Sequence, residues 1–353
     1  MLYNYIEGSV ILKKILINLL ITLVFGFIYY YLILPPINIH SGSFWIFIII
    51  LLMIYFFLSL FNDFDFKKIH KNDFKKPGII SIIIIVIIGF IAVANIICSP
   101  LFNSKSYSKR ILIDENSTFD KDITLVDFNS LPLLDKASSQ KLGDRVMGQM
   151  PELVSQFDVS DLYTQINYNN EIIRVTPLEY NDIFKYLANK KEGVKGYITV
   201  NSVTGESKLV KLDKGMKYVP SAILSKDLDR KLRFSYPTKI FGDKSFEIDN
   251  EGNPYWIVPT LTYTAVGLKE EVEGIVILDP ITGDSKYYKV GEIPTWVDHV
   301  YNPNLIIEQV DNWGLYKNGF LNSIFGQKGV VATTDGYNYL VMNDDVYLYT
   351  GIT

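Results

Sequence analysis

The run Asp249-Asn250-Glu251-Gly252-Asn253 alternates oxygen-bearing side chains as a calcium loop does. An EF-hand would place a closing acid six residues after its glycine, and Val258 stands there instead. A hairpin turn accounts for the same residues without metal. Asn343-Asp344-Asp345 carries the same two readings. His299 follows Asp298 and lies close to Trp296 and Tyr301. A general base there would need its acid alongside, and adjacent residues on a helix do not face each other. We read His299 as structural. Glu270-Glu271 is one of several acid pairs of the kind a glycosidase uses, and nothing in the sequence singles it out. Cys98 has no nearby base to activate it, which makes it a small apolar filler. No G-x-S-x-G, S-x-x-K, H-E-x-x-H or nucleotide-binding glycine fingerprint occurs. The expectation is therefore a chain without catalytic, cofactor-binding or metal-binding residues. Trp256, Trp296, Trp313, Phe320, Phe325, Tyr337 and Tyr339 fall in turn-rich stretches. They read first as core and second as a groove for peptide or glycan.

These residues sit behind a strongly apolar N-terminal third. The chain has 353 residues, 48% hydrophobic, with one Cys, three His and a net charge of −4; its mean hydropathy is +0.17. One Cys excludes a disulfide framework and a cysteine-rich zinc site. The mild negative charge, with no basic block, argues against nucleic acid as a partner. Ile15–Leu34, Phe44–Phe61 and Gly78–Ile97 contain no charged residue. Each is close to the ~20 residues that cross ~30 Å of hydrocarbon as a helix. The third is rich in Ile, but backbone groups in lipid must satisfy themselves, so helix prevails over strand propensity. The first run is too long for the apolar core of a signal peptide, and no small-residue cleavage site follows it.

Lys13 and Lys14 precede the first span. The second loop carries Lys67, Lys68, Lys71, Lys75 and Lys76, whereas the first loop, Pro35–Gly42, has no Lys or Arg. The positive-inside rule puts the N-terminus and the second loop in the cytoplasm and everything after the third span outside. Lys105, Lys109 and Arg110 oppose this but are outnumbered. Residues 1–110 carry ten Lys and Arg against four acids, and residues 111–353 carry 24 against 34. A cationic anchor and an acidic exported domain fit that split. With only Asn18 and Asn95 as amides inside the spans, a substrate path through one chain is disfavoured.

The division expected is a membrane anchor over 1–98, a linker over 99–110 and an extracytoplasmic α+β domain over 111–353. Arg110–Glu115 and Asp122–Phe128 read as short strands and Ser138–Met150 as a helix. A hairpin is expected around Asn169-Asn170 and another around Asn250–Asn253. Thr176-Pro177-Leu178-Glu179 combines a cap, an N1 proline and a capping-box acid, predicting a helix that runs to Asn189. Ile293–Trp296 and Leu305–Tyr316 read as helical, Gly329–Thr333 and Tyr337–Tyr349 as strand. The last run has no polar tail, and an unpaired apolar edge invites aggregation. The chain is therefore expected to continue past Thr353; the alternative is that the last strand pairs within its own sheet, for example with Gly329–Thr333.

The sequence also repeats. VKGYITVNSVTGESK from Val194 and VEGIVILDPITGDSK from Val272 share Gly196/Gly274, Thr204/Thr282, Gly205/Gly283, Ser207/Ser285 and Lys208/Lys286 at an offset of 78 residues. Asn201 or Asp279 would open a turn by accepting backbone N–H bonds, and Gly205 or Gly283 would close it at positive φ. One glycine, with no Lys-Ser/Thr opening a helix, does not make a phosphate loop. The pattern of a capped helix followed by a hairpin tipped with Thr-Gly-acid resembles PepSY-type modules, over Thr176–Leu212 and again, without the helix, over Val272–Val290. Near 165–212 and 245–290 the resemblance implies repeated helix/hairpin units. MPELVSQF, YPTKIFGDKSFEIDNEGNPYWIVP and DNWGLYKNGFLNSIFGQKGVVATTDGYNYL are similar to multi-pass membrane proteins of Gram-positive bacteria. That similarity implies architecture and localisation only. Members of that group tend to carry a twin-arginine signal, and this chain has no Arg-Arg pair.

The fold expected is α+β: three N-terminal transmembrane helices followed by a β-rich exported domain. The function expected is a non-catalytic, membrane-anchored binding or regulatory protein of the bacterial envelope. Its partners would be the lipid bilayer and an envelope protein or peptide. The alternative is an envelope enzyme acting on cell wall or peptide through acidic residues.

Overall fold

The computed structural model describes residues 2–63, 75–114, 116–118, 132, 134–342 and 345–353. The expected strand Asp122–Phe128, the loop lysines Lys67, Lys68 and Lys71, and Asn343 and Asp344 lie outside the described residues. The chain divides into two compact units.

The first unit holds three long helices, α1 (Leu2–Ile33), α2 (Gly42–Asp63) and α3 (Lys75–Cys98). Leu12–Ile33, Gly42–Phe61 and Gly78–Cys98 are long and apolar enough to cross a membrane. Their apolar side chains face outward along most of each helix; lipid accepts such a surface and water does not. Tyr29 of α1 stacks on Phe47 of α2 at 5.5 Å. Two later segments, 236–239 and 263–269, also belong to this unit. The α1–α2 loop binds the first through Ile37 N to Pro237 O at 2.8 Å and Asn38 Nδ2 to Thr238 O at 3.0 Å. It binds the second through His40, whose Nδ1 is 3.1 Å from Ala265 O and whose carbonyl accepts from Gly267 N. Asn95, one of the two intramembrane amides, holds Val266 from both sides: Nδ2 donates to its carbonyl and Oδ1 accepts from its N–H, each at 3.1 Å.

Residues 99–110, expected as a linker, contain helix α4 (Pro100–Tyr107), which departs from helical geometry at Asn103. The second unit begins there. Tyr107 is buried against Tyr316.

The second unit is built on two five-stranded antiparallel sheets. Helices α5 (Lys136–Gly148) and α6 (Pro151–Val154) come first. Asp135 caps α5 by accepting from Ser138 N at 2.7 Å, which lowers the Asp135 pKa. The first sheet contains β1 (Phe157–Val159), β2 (Thr164–Tyr168), β3 (Glu171–Tyr180), β4 (Val194–Asn201) and β5 (Ser207–Met216). Its order is β1-β3-β4-β5, with β2 pairing the other half of β3. Between β3 and β4 lies α7 (Ile183–Asn189), and after β5 comes α8 (Leu228–Ser235). The second sheet contains β6 (Ile240–Phe241), β7 (Ser245–Ile248), β8 (Pro254–Thr262), β9 (Glu271–Leu278) and β10 (Ser285–Lys289), ordered β10-β9-β8-β6 with β7 also on β8. Then follow α9 (Pro303–Tyr316), a π-helical turn (Asn322–Gly326) and the hairpin β11 (Asn338–Met342) and β12 (Asp345–Tyr349). Ala332 and Thr353 exchange two backbone bonds of 2.9 Å, so Thr333 is bridged to Ile352. The sheets meet through a chain of aromatics: Tyr197 of β4, Phe246 of β7 and Trp256 of β8, with ring centroids 5.9 and 5.3 Å apart. The Trp256 indole donates to Tyr218 O at 2.9 Å.

Three local expectations are corrected. The helix predicted from Thr176 starts only at Ile183. Thr176, Pro177 and Glu179 stand in β3, where Thr176 Oγ1 donates to Ser160 O and Glu179 accepts from Ser160 Oγ. The true cap is Asp182, which accepts from Phe184 N and Lys185 N. Ile293–Trp296 is not helical, because its apolar side chains pack on Ile257, Ile275 and Ile277. Gly329–Thr333 is turn and single bridge rather than strand.

The turns of the β4–β5 and β9–β10 hairpins carry the same hydrogen bonds. Asn201 Oδ1 accepts from Val203 N and Thr204 N, as Asp279 Oδ1 does from Ile281 N and Thr282 N. Thr204 Oγ1 and Thr282 Oγ1 accept from the N–H two residues on. Gly205 and Gly283 have φ of +76° and +84°. An added Cβ on Gly205 meets only ordinary contacts with Leu134 and Leu142 near 3.6 Å, whereas on Gly283 it runs into the Tyr218 ring. Gly205→Ala should therefore cost about 1–2 kcal/mol from backbone strain alone, and Gly283→Ala distinctly more. Thermal unfolding of the two variants checks this, and equal losses would show that the Tyr218 contact is immaterial.

Candidate functional site

The residues suggested for chemistry are placed first by their partners. His299 Nε2 lies 2.6 Å from Gln165 O on β2. Its backbone N–H and that of Asp298 donate to the carboxylate of Glu247, at 3.2 and 2.9 Å. Glu247 is completely buried and also accepts from Ser245 Oγ at 2.8 Å. Asp298 Oδ2 in turn accepts from Asn167 N at 2.7 Å. His299 and Asp298 thus fasten the segment before α9 to both sheets, with the imidazole against a backbone carbonyl of β2.

Asp249 closes its own turn. Oδ1 accepts from Glu251 N and Asn253 N, and Oδ2 from Asn253 Nδ2 at 2.9 Å. Tyr197 Oη donates to Gly252 O at 2.8 Å and pins the tip. Burial drives the Tyr197 phenol far above its ordinary pKa. Among the described residues no group of three His, Cys, Asp or Glu is placed to hold a metal ion. Asp227, a carboxylate whose pKa burial raises, caps α8 by accepting from Arg230 N at 2.8 Å.

Two shallow clefts open on the second unit. The smaller, about 320 Å³, lies beside the β4–β5 turn and is lined by Tyr168, Glu171, Asn201, Glu206, Lys208 and Glu251. The larger, about 390 Å³, has Pro259, Leu261 and Leu305 as apolar lining and Asp243, Glu270 and Glu308 as its acids, with Asn302 and Asn304 between them. Asn302 Nδ2 donates to Asp243 Oδ2 at 2.7 Å.

Behind this acidic cleft sits Arg110, its side chain completely buried. Nε donates to Glu271 Oε1 at 2.8 Å and Nη1 to Glu308 Oε1 at 2.6 Å; Nη2 donates to Glu270 O. Gln309 Nε2 and Asn312 Nδ2 donate to the same two glutamates, at 3.0 and 3.2 Å. Of the suggested pair Glu270-Glu271, the second is thus part of an ion-pair cluster. Sequence reading missed Arg110, Asp243 and Glu308 because their neighbours lie far away in the chain. A guanidinium ending a polar segment gives no local signal of such partners.

The aromatics divide. Trp256 is core and Trp296 packs on Tyr255 at 5.1 Å. Trp313 carries Lys317 Nζ over its ring at 4.2 Å. Phe325 and Tyr337 are exposed. The side chain of Tyr339 lies outside the described residues. No family model, no curated protein and no solved structure matches this chain.

Proposed function

We propose that the chain is a membrane-anchored, non-catalytic binding or regulatory protein of the bacterial cell envelope, with residues 111–353 outside the cytoplasm. The acidic cleft carries this reading. Asp243 and Glu308, each already holding one polar partner within the fold, keep further acceptor lone pairs, and with Glu270, two amides and an apolar lining they form a set suited to a segment bearing Lys or Arg. The partner class is therefore a basic envelope protein or peptide. The lysine asymmetry around the spans supports the orientation. The like-bonded turns at Gly205 and Gly283 support the PepSY-like reading of the two hairpins. For the enzyme alternative, two acids would have to be available at the cleft. Asp243 is instead engaged by Asn302, and Glu308 by Arg110.

A photo-crosslinking side chain placed at Asn304 of the full chain tests the reading in intact cells. The expected result is one discrete adduct that is lost in Asp243→Asn/Glu270→Gln. No adduct, or one indifferent to both substitutions, rejects the cleft as the binding site. Cysteines placed at Lys71 and Lys208 and probed with an impermeant thiol reagent test orientation; labelling at Lys71 alone would reverse it.

A further inference from the structure

After α9 the chain forms a small platform with an apolar outer face. Leu321, Ile324 and Phe325 are 66%, 50% and 81% exposed. Leu321 caps the π-helical turn that carries the other two. Hydrogen bonds tie down the polar residues beside them. Asn318 Nδ2 and Asn322 Nδ2 both donate to Lys328 O, at 2.9 and 3.1 Å. Asn322 Oδ1 accepts from Lys328 N and Ser323 Oγ donates to Phe320 O. The face is therefore prebuilt by hydrogen bonds rather than a frayed end. A preformed apolar face of this kind is a candidate for contact with another surface.

Charge selects among the surfaces that would cover it. From Asn312 to Thr334 there is no acid, while Lys317 and Lys328 bracket the apolar face. This is a cationic island in an otherwise acidic unit. Apolar side chains flanked by lysines are the composition of segments that lie at a membrane surface, rings in the acyl boundary and ammonium groups among headgroups. Tyr316 sits edge-on to Tyr107 at 6.3 Å and stacks on Phe320 at 6.3 Å.

We propose that Phe320–Gly326 is an interfacial membrane contact, seating Leu321, Ile324 and Phe325 in the acyl boundary of a lipid bilayer. The occupant is lipid, with anionic headgroups facing Lys317 and Lys328.

The test uses the full chain carrying Cys98→Ser and a single new cysteine, Phe325→Cys or Leu321→Cys. The new cysteine is labelled with an environment-sensitive fluorophore. The protein is reconstituted into phosphatidylcholine/phosphatidylglycerol vesicles with and without a lipid bearing a shallow nitroxide. Lys208→Cys, on β5, is the control. Blue-shifted emission at 325 and 321, quenched roughly twofold or more by the nitroxide lipid, is expected, with the control unchanged. Two results overturn the proposal. One is emission at both positions as water-exposed and unquenched as the control. The other is a blue shift without nitroxide quenching, which would mean that protein covers the face. Because both side chains are exposed, neither substitution removes core packing.

Discussion

Glu247→Ala should lower the stability of the sheet domain by about 3–5 kcal/mol. The carboxylate is completely buried and accepts from Ser245 Oγ, Asp298 N and His299 N. Its removal takes this acceptor from the backbone N–H groups of Asp298 and His299, in a part-buried segment. Each such orphan costs about 1–3 kcal/mol, and the lost side chain leaves a void besides. The loss propagates, because the same two residues reach β2 through Asp298 Oδ2 with Asn167 N and His299 Nε2 with Gln165 O. Glu247→Gln keeps the shape and one acceptor oxygen but turns an NH₂ toward a donor. It should fall between the two, at about 1–3 kcal/mol. Thermal unfolding of the detergent-solubilised full chain, followed by near-UV circular dichroism, ranks the three proteins. A Glu247→Ala chain within about 0.5 kcal/mol of the parent, the range of an ordinary surface change, would mean that the 298–299 segment does not depend on this carboxylate.

That segment also marks the limit of reading a single sequence. The three long helices were legible because hydropathy sums over neighbours, and a charge-free run of this length has few alternatives. The β2–β3 turn was legible because Asn169 and Asn170 tolerate the positive φ they adopt. Turn chemistry is likewise local at Asp249–Asn253 and at Gly205 and Gly283. Thr176-Pro177-Leu178-Glu179 shows the opposite case. It satisfies every local rule for a helix start, yet β3 carries it between β1 and β4. A cap contributes about 1 kcal/mol. Ladder bonds on both sides and complete burial of Leu178 and Thr176 outweigh that. Ile293–Trp296 failed for the same reason, since Ile293 and Trp296 are committed to a core contributed by β8 and β9. The acidic cleft was invisible altogether. Asp243, Glu270 and Asn302 are unremarkable where they stand, and only the fold makes them neighbours.

Arg110 is the extreme instance, with partners 161 and 198 residues away. Arg110→Met should cost about 2–4 kcal/mol. Breaking a buried ion pair costs about 3–5 kcal/mol because a charge is left uncompensated. Here the guanidinium is fully buried, but the side chains of Glu271 and Glu308 are 34% and 54% exposed. Water will solvate them partly after the cation is gone, so the cost shifts about 1 kcal/mol below that range. The same argument fixes the direction of a compensating change. Arg110→Met/Glu271→Gln/Glu308→Gln removes both the cation and the repulsion between the two carboxylates it held together. It should recover about 1–2 kcal/mol of the single variant's loss, since neutral packing often replaces a buried ion pair at little net cost. A structural arginine that mattered only through its aliphatic stem would give no recovery, because methionine already restores most of the apolar contact. Chemical unfolding of parent, single and triple variants separates the cases by the sign of the coupling. If Arg110→Met is silent, the guanidinium is a passenger.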